Sequence, residues 1–155
     1  QSGKEQSKET DKIIYQIWRN IIHKELWSEF DESFLKKDFH HYLESYINII
    51  KKSSLTINYN FDDILQALIT RRRTDEEKEE GKKLYETVYD ARLQFQMNNG
   101  IIYHPNGFLP YNLIEGASDN LVFSEDSFAD QLIASMSGHY STLLHHLSKN
   151  TCLFI

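Results

Sequence analysis

The chain has 155 residues, 40% of them apolar and 13% aromatic, and a formal net charge of −6. That length suits one domain able to bury most of its apolar surface. The acidic balance argues against a nucleic-acid binder, and two prolines with six glycines are too few for a sandwich or barrel of many tight turns.

Residues 1–10 are polar and read as a flexible segment, with Gln1-Ser2-Gly3 resembling the remnant of a tag. Residues 11–155 then read as a single helical domain. Asp11 to Trp27 is predicted to be the first helix. Its stripe is Ile14, Ile17, Trp18, Ile21, Ile22 and Leu26, at spacings of three and four. Ser28–Phe30 breaks the phase.

The helix predicted to organise the fold is Asp31 to Lys52. Leu35, Phe39, Tyr42, Leu43, Tyr46 and Ile50 form one face. Asp31 stands where it can cap the start, and Lys51 and Lys52 stand where the helix dipole favours cations. Ser53–Asn60 reads as a connection. Asn60 would cap a short helix, Phe61–Arg72, with Asp62 and Asp63 in its first turn and Arg71–Arg73 at its end.

Thr74-Asp75-Glu76-Glu77 has the form of a capping box. It predicts a helix to about Met97, whose later part carries Leu84, Tyr85, Val88, Tyr89, Arg92 and Phe95. Asn98-Asn99-Gly100 would stop it. The next stretch, Ile101–Asn120, holds both prolines. Pro105-Asn106-Gly107 between apolar runs predicts a turn, and with it a small β-hairpin near 101–111 or an ordered loop. Ser124–Asn150 reads as the last helical region, interrupted near Gly138. The expected fold is all-α, a compact bundle of five to six helices.

Few residues point to chemistry. Seven histidines include the pairs His40-His41 and His145-His146. Neighbours on a helix point about 100° apart, so a pair cannot chelate one ion. No H-E-x-x-H, G-x-S-x-G, Walker or G-x-G-x-x-G pattern occurs. Accordingly no metal, cofactor or catalytic residue is assigned. Arg71, Arg72 and Arg73 are the densest basic cluster and candidates for an anionic ligand, although the acids of 75–80 stand beside them. Tyr103, His104, Asn106 and Tyr111 are the candidates for a site on the central loop, since loops held by a rigid scaffold often carry function.

The final residues, Cys152-Leu153-Phe154-Ile155, resemble the C-a-a-X box of prenylated proteins, as in some host-directed bacterial effectors. That resemblance implies lipidation at Cys152 and a place in a host cytosol or at a membrane; the competing expectation is that Leu153, Phe154 and Ile155 dock against the core or a neighbour. A single cysteine and the lack of a long apolar run agree with a reducing, cytoplasmic compartment. The leading expectation is a non-enzymatic binding or targeting module acting through protein–protein contacts, whole or as a domain of a larger effector. One alternative is a peripheral membrane module that uses Cys152 or binds anionic lipid. Another is a small enzyme with its site on the 103–111 loop.

Overall fold

A computed structural model of the chain describes residues 2–36, 41–72, 74, 84–89, 100–119, 121–136 and 141–153. Three short runs rich in β-branched and aromatic residues form a sheet: β1 (Leu55–Ile57), β2 (Tyr85–Val88) and β3 (Gly100–Tyr103). All pairings are parallel, in the order β1-β3-β2. The expectation of an all-α bundle is therefore overturned, and the domain is mixed α/β. Its α-helices among the described residues are α1 (Ser2–Trp27), α2 (His41–Lys52), α3 (Ile64–Arg71), α4 (Glu125–Met136) and α5 (Ser141–Lys149).

The central element is β3, not the Asp31–Lys52 helix. Ile101, Ile102 and Tyr103 are each at most 3% exposed, a continuous apolar run of the kind a parallel strand needs when both its faces are covered. Nor is there a hairpin at 101–111: β3 pairs in parallel with β1 and β2, and Phe108-Leu109 is not a strand. The predicted turn does form. The Gly107 N–H donates to the His104 carbonyl at 3.2 Å, and Gly107 sits at φ 106°.

Register fixes the two faces. Leu55 and Glu86 flank Ile101, and Ile57 and Val88 flank Tyr103. Ile101, Tyr103 and Val88 form one core cluster with Leu143 of α5. Ile102 points the other way and packs with Ile47 of α2 and Leu68 and Ile69 of α3. Helices thus cover both faces, with α2 and α3 on one side and α5 on the other.

Other expectations change in detail. Asp31–Lys52 is not one helix. It contains a 3-10 turn, Glu32–Lys36, and α2, while Phe39 lies outside the described residues. Asp31 still receives the Ser33 N–H at 2.8 Å. Ile47, absent from the predicted stripe, is the most buried described residue of α2 at 1% exposure. Within the predicted Thr74–Met97 helix lies β2. Leu84, Tyr85, Val88 and Tyr89 fit a helical period, but Tyr85-Glu86-Thr87-Val88 also alternates, and the sheet selects the second pattern. Residues 75–83 and 90–99 lie outside the described residues. Residues 2–10, read as flexible, belong to α1.

The attachment of α1 reverses its predicted polarity. Arg19, His23 and Trp27, spaced by four, share one face. Arg19 donates to the Ser118 carbonyl at 3.4 Å. The His23 Nε2–H points to the carbonyls of Pro110 and Tyr111 at 3.0 and 3.2 Å. Trp27 donates its indole N–H to the Leu109 carbonyl at 3.2 Å. Its ring also meets Phe30 and Tyr111 edge-on. The helix therefore grips a loop through hydrogen-bonding side chains. Its apolar stripe faces solvent: Ile14, Ile17, Trp18 and Ile21 are each more than half exposed. No helix among the described residues is long and apolar enough to cross a membrane.

Candidate ligand site at the carboxyl edge of the sheet

After β1 the chain turns into α3, on the Ile102 face. After β3 it runs through 104–119 towards α4, and only the helix after that, α5, packs on the opposite face. In open α/β sheets ligands bind at the carboxyl ends of the strands. The residues at this edge are 58–63 after β1, Tyr89 after β2 and the segment from His104 after β3.

His104 is fully buried. Its Nδ1 lies 2.7 Å from the Asn60 carbonyl, which only accepts, so Nδ1 carries the proton. Nε2 is then a lone pair and accepts from the Gln66 amide nitrogen at 2.7 Å. Burial lowers the His104 pKa, opposed by the Asn60 bond and by Asp63. A neutral imidazole thus joins β3, the post-β1 loop and α3. With both nitrogens engaged, it works as a strut and not as a base. Gln66 Oε1 is buried without a hydrogen-bond partner, because turning the amide to use it would face oxygen to the Nε2 lone pair.

Two carboxyls sit beside this strut. Asp62 Oδ1 accepts the Ile64 N–H at 3.1 Å and closes the turn into α3. Asp63 Oδ1 accepts the Tyr111 N–H at 3.0 Å and ties the post-β1 loop to the post-β3 segment. Burial raises both pKa values, against the pull of these backbone bonds; Asp62 pushes Asp63 further up, and His104 pulls it down. Asn106 donates to the Tyr59 carbonyl at 3.2 Å, and the Tyr59 side is 65% exposed. Leu109 N–H to Phe61 carbonyl, 2.7 Å, adds a further stitch between the two loops. Phe108 lies between His104 and the stacked ring of Tyr89.

The loop candidates divide. His104 and Asn106 belong to this edge. Tyr103 does not, because its position in β3 turns it into the core with Leu143. Tyr111 contributes its backbone N–H here, while its ring packs with Trp27 and Phe30. Asp62, Asp63, Asn60 and Gln66 were missed as site residues. The signal is Leu55-Thr56-Ile57, a strand that stands inside the expected connection Ser53–Asn60, ahead of an Asn- and Asp-rich turn and the expected helix.

The remaining candidates lie elsewhere. Arg71 and Arg72 reach Glu32 and Glu44 at 3.8 and 3.9 Å, and the acids of 75–80 lie outside the described residues. Arg73 lies outside the described residues. Cys152 is exposed, as is Leu153, and residues 154–155 lie outside the described set. His146 contacts Ser54 Oγ at 3.2 Å, and no metal-binding group of three converges among the described residues. A depression at the opposite edge, lined by Ser53, Tyr85 and Gly100, holds about 10 Å³, room for about one water. No family model, curated protein or solved structure matches the chain.

Proposed function

We propose that the domain binds a neutral, hydroxyl-bearing small molecule of the nucleoside type at the carboxyl edge of the sheet, between the ends of β1 and β3. The observation that carries this is the half-buried pair Asp62 and Asp63 at the carboxyl end of β1, tied through the Tyr111 N–H to the segment that follows β3. A carboxyl at such an edge is a natural acceptor for sugar hydroxyls, and an exposed tyrosine on the same loop, Tyr59, offers a face on which a base can stack. Two adjacent acids disfavour a phosphate at the same spot. Of the three functions expected from sequence, this is nearest to the loop-site alternative, without its catalysis. The leading expectation, a face offered to a protein, draws on the separate observation of α1.

Thermal unfolding with adenosine, 2′-deoxyadenosine and inorganic phosphate tests it. Adenosine should raise the melting temperature saturably, deoxyadenosine less so, and phosphate not at all. Asp63→Asn, which keeps an oxygen for the Tyr111 N–H, should remove the adenosine effect. Equal shifts with phosphate, or none with adenosine, would overturn the proposal.

A further inference from the structure

The Gln66–His104 contact includes an acceptor that its present state does not use. Gln66 is 5% exposed and His104 is fully buried. Gln66 Nε2 donates to His104 Nε2 at 2.7 Å and to Thr87 Oγ1 of β2 at 3.4 Å. Oε1, the only acceptor on that amide, has no hydrogen-bond partner among the described residues. The arrangement holds only while His104 Nε2 is a lone pair, since Nδ1 already gives its proton to the Asn60 carbonyl. A second proton on the ring would set N–H against N–H across the same 2.7 Å.

We infer that proton uptake at His104 Nε2 turns the Gln66 side-chain amide over, making the pair a proton-operated latch between α3 and the end of β3. In the turned state Oε1 accepts from the Nε2–H. Thr87 Oγ1, a hydroxyl that can donate as well as accept, reverses its role and donates to the same oxygen. The backbone need not move, and the Gln66 carbonyl keeps the Tyr85 hydroxyl that donates to it at 3.2 Å. The amide NH₂ then takes the unpartnered place, so the turned state forms only with the charge. Burial of the ring disfavours that charge and puts the exchange below the ordinary 6.5. Among the described residues the charge that acts on His104 is Asp63, on the loop after β1, with Asp62 acting on Asp63 in turn. The side towards β2 offers Thr87 and Tyr85, and Phe108 with Tyr89 beyond it covers the ring. The charged ring helps to keep Asp63 ionised. The latch thus holds the sugar acceptor charged in mild acid, a consequence that rests on the ligand reading above.

NMR of the ¹⁵N-labelled, ligand-free chain tests the latch apart from any ligand. An N–H···N bond transmits a nitrogen–nitrogen scalar coupling, and an N–H···O bond does not. The coupling between Gln66 Nε2 and His104 Nε2 should be present at neutral pH. It should vanish in step with protonation of His104, in a spectrum that otherwise stays native. Thr87→Val removes the hydroxyl that donates to the turned oxygen. It should move the His104 titration to lower pH by about half a unit, the equivalent of one net hydrogen bond. Thr87→Ser should leave it in place. Absence of the coupling at neutral pH would overturn the inference. So would unfolding before His104 takes up its proton, or a Thr87→Val variant that titrates with the parent.

Discussion

The imidazole of His104 and the side-chain amide of Gln66 meet nitrogen to nitrogen, 2.7 Å apart. Only one proton arrangement permits this: Gln66 donates and His104 accepts. Gln66→Glu would offer an oxygen instead, which needs a proton on Nε2. That variant should raise the His104 pKa, seen as an upward shift in an imidazole ¹⁵N NMR titration. Gln66→Leu should cost about 1–3 kcal/mol in urea unfolding, the range for leaving a buried polar partner unsatisfied. An unchanged titration in Gln66→Glu would mean that the two side chains do not bond in solution.

Acidification should weaken the fold through the same residue. Burial holds His104 below its ordinary 6.5. Above 6.5 the imidazole is neutral in both states, and its contribution is complete. As pH falls below 6.5 the unfolded chain takes up the proton first, and stability is lost until folded His104 itself titrates. Asp62 and Asp63 act in the opposite sense. Their pKa values are raised above 3.8, so the folded state protonates first and stability is regained as pH falls through those values. Unfolding free energy should therefore decline from pH 7.5 towards 5.5, and His104→Gln should flatten that decline. A variant profile as steep as that of the parent would remove His104 as its source.

The two faces of α1 should respond differently to substitution. Trp27→Phe removes the bond to the Leu109 carbonyl and should cost about 0.5–1.5 kcal/mol, the net worth of one such bond. Ile17→Ser lies on the exposed stripe and should stay within about 0.5 kcal/mol when measured at low protein concentration. If the order is reversed, the stripe is covered within the chain and α1 sits the other way round.

Two turns need glycine. Gly107 and Gly116 have φ of 106° and 101°. A Cβ at Gly116 would also come within 2.9 Å of the Tyr89 hydroxyl. Replacing either by alanine should cost about 1 kcal/mol or more from backbone strain, with Gly116→Ala the worse. Chemical denaturation of both variants checks the order.

Sequence patterns showed this fold unevenly. The α3 segment and the His104–Gly107 turn are legible because each has a local cause, an Asp pair at the helix start and a Pro-Asn-Gly run, although the helix begins at Ile64 and not at Phe61. The sheet is not. A parallel strand buried on both faces lacks alternation, so Ile101-Ile102-Tyr103 looked like half of a hairpin. Leu55–Ile57 is three residues long, too short for a period to register. On α1 the apolar stripe faces outward, because the inner face is fastened by Arg19, His23 and Trp27. Hydrophobic periodicity does not score such bonds. The candidate site suffered most, since Asp63 and Tyr111 are far apart in the chain and meet only once the sheet has formed.

The strand order has a consequence for the chain as it leaves the ribosome. β1 and β2 never touch; each bonds only to β3. A nascent chain that ends before Gly100 therefore holds two strand segments and not one ladder. Both have bare edges of the kind that recruit other chains. When β3 emerges it completes both pairings, one with partners 46 residues apart and one with partners 15 apart, so the sheet should appear in a single cooperative event. Protection of newly made chains, by a chaperone or by slow synthesis, would matter most in the interval before Ile101-Ile102-Tyr103 is exposed.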